Sequence, residues 1–114
     1  MTKTKARDSE SHATEMKERP MEIIVQFEAQ LRHVAGVGHA VVSVPNACSV
    51  ADALRAIAAQ FGPTLAERLV TPDGMAQRSV LLFVNDQAIA HALAAGHLLK
   101  AGDVLLLYPP ISGG

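Results

Sequence analysis

Behind Ser49 the chain reads VADALRAIAAQF, and its apolar residues fall at Val50, Ala53, Leu54, Ile57, Ala58 and Phe61. The spacing i, i+3, i+4, i+7, i+8 and i+11 lays one continuous stripe along a helix of about 3.6 residues per turn. Ser49 and Asp52 stand three apart at its start. There a serine side chain can accept from a free helical N–H while a carboxylate reaches back to the serine N–H, the shorter Asp taking the place of Glu. Gly62-Pro63 ends the run. The fold must therefore place one main amphipathic helix against whatever the rest of the chain builds.

The rest reads as strands. In EIIVQFE, Ile23, Val25 and Phe27 alternate with Ile24, Gln26 and Glu28, which predicts a strand with one buried face. AQLRHVAG is a short helical turn stopped at Gly36. HAVVSVP alternates again through Ala40, Val42 and Val44, and the two strands are expected to pair as a hairpin with a long connection. TLAERLV adds a further short helix before a TPDG turn. SVLLFVN and DVLLLYP are apolar on both faces, the mark of central strands. A short strand is expected near Gln87–Ala90, after a turn at Asn85-Asp86, and Ala101-Gly102-Asp103 forms the turn before the last strand.

One main helix can cover only one face of such a sheet. Either the other face is partly bare, and bare apolar surface marks a partner site, or the short helices at 29–34 and 64–70 cover it. The sequence accommodates both.

With 114 residues, 49% of them apolar and 18% charged, the chain suits one globular domain. A formal net charge of −1 supplies no basic field for a polyanion, so nucleic acid is not expected as a partner. No apolar stretch is long enough to span a bilayer, and no signal peptide is legible, so neither a membrane nor export is expected. The single cysteine, Cys48, allows no internal disulfide and fits a reducing compartment; a cytoplasmic location is expected. Residues 1–20 carry nine of the 21 charges and almost nothing apolar, so they are read as a mobile charged extension. The folded domain is expected over 21–108.

Catalytic patterns are absent. His12, His33, His39, His91 and His97 lack the spacing of a zinc pair. Ala35-Gly-Val-Gly38 lacks the third glycine and the helix of a dinucleotide site. Asp52, Asp73 and Asp103 are each explained by a cap or turn. Cys48 precedes the main helix, where a thiol can be made acidic; packing at the strand–helix corner is the favoured reading.

What remains is the protruding tail, residues 109–114, which follows Tyr108 as Pro-Pro-Ile-Ser-Gly-Gly. Pro109 and Pro110 fix two φ angles and hold the chain extended as it leaves the last strand. Gly113 and Gly114, lacking side chains, fit a passage too narrow for other residues. A carboxylate at the tip of such a finger suits capture in a partner's active site.

PPISGG preceded by LKAGDVLLLY closely resembles the end of the molybdopterin synthase small subunit, in the MoaD/ThiS family of ubiquitin-like sulfur carriers. VQFEAQLRHVAG resembles that family's first strand and helical turn, with Phe27, Ala29, Arg32 and Gly36 in place. The resemblance spans Met21–Gly114. It implies an α+β, β-grasp (ubiquitin-like) fold: a mixed sheet with one main helix on one face and the last strand parallel to the first at the centre.

It also implies a function. The Gly114 carboxylate would be adenylated by an E1-like adenylyltransferase, converted to a thiocarboxylate, and delivered to a pterin precursor in the large catalytic subunit of the synthase. Gly113 would allow passage, and Tyr108, Pro109, Pro110, Ile111, Ser112 and Arg32 would meet the partners. No cofactor would be bound by the chain itself, and ATP would be used by the activating partner. The chain would be a carrier without an active site of its own. Relatives serving thiamin or amino-acid sulfuration leave other pathways open, as does attachment to proteins as a ubiquitin-like modifier.

Overall fold

A computed structural model describes residues 20–109. Strand β1 runs Pro20–Phe27 and β2 His39–Pro45, joined through helix α1, Gln30–Ala35. Helix α2, Val50–Phe61, is followed directly by α3, Pro63–Leu69. The remaining strands are β3, Leu81–Val84, β4, Gln87–Ile89, and β5, Val104–Tyr108, with a single 3-10 turn at His91–Leu93. The expected extension lies outside the described residues except for Pro20, which opens β1 one residue earlier than its apolar pattern begins.

The five strands lie in the order β2-β1-β5-β3-β4. β1 and β2 pair antiparallel, with Ile23 opposite Val42. β5 lies parallel to β1, Val25 opposite Leu105, and antiparallel to β3, Val84 opposite Leu105. The parallel pair at the sheet's centre with a helix across one face is the β-grasp arrangement, as expected. β3 and β5 are flanked on both sides, which agrees with their reading as central strands.

Local chemistry explains the joints. Ser49 accepts a hydrogen bond from the Asp52 N–H at 3.0 Å, and the Ser49 N–H donates to the Asp52 carboxylate at 3.3 Å, so the capping box is closed. Gly36 ends α1 at φ 85°, a left-handed conformation that glycine adopts without a Cβ clash. Gly62 ends α2 and Pro63 opens α3, where the missing N–H costs no helical bond. Asn85 and Asp86 take φ 49° and 71°, the paired positive angles of a two-residue hairpin turn between β3 and β4. Asn85 also clamps the start of β5: its side chain accepts from the Val104 N–H and donates to Asp103.

The core gathers Ile23, Val25, Phe27, Val42, Leu82, Leu105 and Leu107 from the sheet with Val50, Leu54 and Ile57 from α2. Leu31 of α1 and Leu65 and Leu69 of α3 join this same cluster. The short helices therefore lie on the side already held by α2 and leave the other face to no described element. The physical reason is their single-sided patterning: each carries only one or two large apolar residues, and these fill the edge of the existing core.

Candidate functional site

The uncovered face is largely apolar, with polar residues such as Glu22, Gln26 and Ser43 on its β1–β2 side. Pleating turns Ile24 and Gln26 of β1, Val41 of β2, Val104, Leu106 and Tyr108 of β5, and Leu81 and Phe83 of β3 away from the helices. Val41 is 63% exposed and Leu81 41%. An apolar patch continuous over four strands is what a docking face presents. The doubly apolar pattern of SVLLFVN and DVLLLYP thus has two causes, core packing on one side and this surface on the other.

The tail leaves from the middle of one end of the sheet, where the central strand β5 finishes. β5 ends at Tyr108, whose ring meets Phe83 edge to face at 5.7 Å between centroids. The next residue, Pro109, borders a cleft of about 170 Å³ with Leu31, Glu67, Arg68, Gln77, Ser79 and Val80. Arg32, expected to meet partners, lies at this same end. The Glu28 N–H donates to the Leu107 carbonyl at 3.0 Å, tying the approach to α1 to the end of β5. The Arg32 guanidinium pairs with Glu28 at 3.6 Å and its stem runs over Gly38, leaving the side chain 57% exposed. Arg32 thus stands at the same end of the sheet as Tyr108 and Pro109, but it does not line the cleft that Pro109 borders. Pro110, Ile111, Ser112, Gly113 and Gly114 lie outside the described residues.

Two partners of the tail root were not legible beforehand, Phe83 and Arg68. Phe83 read as one more apolar residue of a central strand, and only the β3–β5 register makes it Tyr108's neighbour. Arg68 needed the placement of α3.

The other candidates take structural roles. Cys48 is buried, and burial pushes its thiol up, reinforced by the nearby Asp52 carboxylate and only partly offset by its backbone hydrogen bond. The helix start does not make it acidic; it is a packed side chain, as the favoured reading had it. Burial alone would raise the Asp52 carboxyl. Its hydrogen bonds to the Ser49 N–H and hydroxyl, and to the Arg55 guanidinium, outweigh that and hold it below the ordinary value. Among the described residues no group of His, Cys, Asp and Glu could hold a metal ion, and no helix is long and apolar enough to cross a membrane.

The model of the ThiS family matches residues 25–114. This chain belongs to the ThiS family. Small archaeal modifier protein 1 of Haloferax volcanii is 36% identical over 86 residues, covering 75% of this chain and 93% of that protein. Small archaeal modifier protein 3 of the same organism is 31% identical over 94 residues, 82% of this chain and 100% of the relative. The crystal structure of the former superposes with a TM-score of 0.70 at 33% identity, over 82% of this chain and 99% of the other. As a ThiS-family protein the chain is a ubiquitin-like carrier or modifier with a β-grasp body, and the family match takes in the tail as well as the described fold.

Proposed function

We propose that this ThiS-family protein is a sulfur carrier that holds sulfur as a thiocarboxylate on Gly114, and that it serves as the small subunit of molybdopterin synthase in molybdenum cofactor biosynthesis. The observation that carries this is the route of β5. Its central position, parallel to β1, anchors the chain up to Tyr108, and in sequence Pro109-Pro110-Ile111-Ser112-Gly113-Gly114 follow directly. A tail rooted in the most constrained strand can be inserted by a partner without unfolding the body.

The chemistry belongs to the partners. An E1-like adenylyltransferase joins the Gly114 carboxylate to the α-phosphate of ATP, releasing pyrophosphate. A sulfur nucleophile from a donor then attacks the carbonyl carbon and AMP leaves, yielding the thiocarboxylate. In the large catalytic subunit this soft nucleophile is held against an electrophilic carbon of the pterin precursor. Such a scheme needs no cysteine on the carrier, in keeping with a Cys48 that is buried and not acidified.

A second reading has its own support, since the relatives named above are modifier proteins. On it, Gly114 forms an isopeptide bond with target lysines. One experiment separates the two. The chain is incubated with its cognate E1-like enzyme, ATP and a sulfide source, and its intact mass is compared with that of a chain lacking Gly114. Exchange of one oxygen for one sulfur, only with Gly114 present, is the expected result. Lysine-linked adducts without a thiocarboxylate would favour the modifier, and no change at all with an active enzyme would overturn both.

A further inference from the structure

We propose that β2 is the edge through which two copies of this chain pair, their β2 strands antiparallel about a twofold axis at Val41; this goes beyond the carrier function and does not depend on it. The order β2-β1-β5-β3-β4 leaves two strands with an unpaired side. A bare edge is a row of N–H and C=O groups ready to pair with another strand, and proteins blunt such edges by shortness, charge, proline or a covering segment. β4 is blunted: it is three residues long, Gln87–Ile89, and Asp86 stands in the turn that opens it. β2 is seven residues long, holds no Lys, Arg, Asp or Glu, and has its one proline at the last position, Pro45.

Pairing with β1 decides which backbone groups face out. The Phe27 N–H donates to the Gly38 carbonyl at 2.8 Å. By the alternation of an antiparallel ladder, Val25–Ala40, Ile23–Val42 and Met21–Val44 then exchange hydrogen bonds. The N–H and C=O groups of His39, Val41 and Ser43 therefore point away from β1. Among the described residues they meet one partner. The Gln60 amide donates to the Ser43 carbonyl at 2.8 Å, and that oxygen keeps a second lone pair. The side chains of the same three residues lie on the uncovered face, and all three residues are exposed.

A second copy matches this edge without a gap. Twofold pairing sets the same patch against itself. With the axis at Val41, Val41 faces its own copy and His39 faces Ser43 of the other chain, so both strands offer an N–H and a C=O at each place. Pro45, which has no N–H, falls outside the paired stretch. An axis at Val42 would instead set His39 against Pro45 and leave the His39 carbonyl without a donor. The facing side chains also suit: a β-branched residue against itself, an imidazole against a hydroxyl, and no like charges opposed. An axis normal to the sheet puts both helix layers on one side and joins the uncovered faces on the other. With β1 between β2 and β5, each copy keeps the end of β5 open.

The test follows the mass of the full chain by sedimentation over a wide range of concentration, with amide hydrogen exchange on the same samples. The wild-type mass is expected to rise from 12.0 kDa toward twice that, and the amides of His39, Val41 and Ser43 to exchange more slowly as it does. Val41→Pro removes one outward N–H from each copy without touching a bond to β1, and Val41→Lys opposes two ammonium groups across the axis. Each is expected to raise the dimer Kd roughly tenfold, the worth of two lost hydrogen bonds. Leu81→Lys, on the same face but away from the edge, should pair like wild type. Thermal melts of dilute samples show which variants are folded, and Val41→Lys carries the test if Val41→Pro is not. Folded Val41 variants that pair as well as wild type, or pairing without slower exchange at the three amides, would overturn the proposal. So would loss of pairing in Leu81→Lys, which would move the contact to the uncovered face. A wild-type chain that is monomeric at every concentration would leave the edge to a strand of another protein and overturn it too.

Discussion

Tyr108 and Phe83 lie diagonally across β5 and β3 on the uncovered face, their ring planes at 76° and their centroids 5.7 Å apart. An edge-to-face pair of this kind contributes about 1 kcal/mol beyond its buried area. Its larger consequence is directional: it braces the residue from which the tail departs. Phe83→Ala should therefore lower unfolding stability by only about 1–2 kcal/mol, yet raise KM for adenylation several-fold. Phe83→Tyr, which keeps the ring, should behave like wild type. Urea unfolding and pyrophosphate exchange on the same preparations decide it; a KM that tracks stability across all variants would remove the bracing role.

The capping box links sequence to acid stability. Burial opposes ionisation of Asp52, but Ser49 and Arg55 prevail and its folded pKa is depressed. A depressed carboxyl stabilises the fold fully above its unfolded value of about 3.9 and loses that contribution as pH falls through the lower folded value. Asp52→Asn should be less stable than wild type at neutral pH, and the difference should shrink as pH drops below about 4. Ser49→Ala should cost about 1 kcal/mol at neutral pH. Thermal melts from pH 2 to 7 test both, and a Ser49→Ala gap that widens in acid would refute the coupling.

How far the sequence reaches can be judged from particular residues. The stripe from Val50 to Phe61 and the alternation through Ile23, Val25 and Phe27 are set by local periodicity, and each buries the face it was expected to bury. Gly36 and the Asn85-Asp86 turn were legible because backbone geometry restricts which residues suit them. The side on which α1 and α3 lie was not. Leu31, Leu65 and Leu69 show that these helices bury something, but not which sheet face, because that depends on long-range packing. Within the candidate site, Tyr108, Pro109 and Arg32 were named from pattern and resemblance. Phe83 and Arg68 were missed because their proximity to the tail arises from pairing register and helix placement, which leave no local trace.

Cys48 supplies a kinetic test of its surroundings. Only 5% exposed, with a thiol pushed up by burial and by Asp52, it should be alkylated far more slowly in the native protein than in denaturant at pH 8. Asp52→Asn removes one of the two elevating influences, so its native thiol should react faster at the same pH. Because exposure still limits the reaction, the gain should be modest beside that produced by unfolding. Native alkylation as fast as that of the unfolded chain would show that the corner between β2 and α2 is open.

The two faces of the sheet make opposite predictions for residues of similar character. Leu105 is fully buried in β5 between Val25 and Val84, whereas Val41 in β2 is 63% exposed. Leu105→Ala removes packed methyl groups where the surroundings can relax little, so it should cost about 2–5 kcal/mol, a large part of the 5–15 kcal/mol typical of a whole domain. Val41→Ser loses no core contact and should change stability by less than about 0.5 kcal/mol. If the uncovered face is where partners dock, the ranking reverses in a binding measurement made where both variants are folded: Val41→Ser weakens the complex and Leu105→Ala does not. Equal stability losses for the two would mean that Val41 is covered in solution, and the docking role of that face would fail with it.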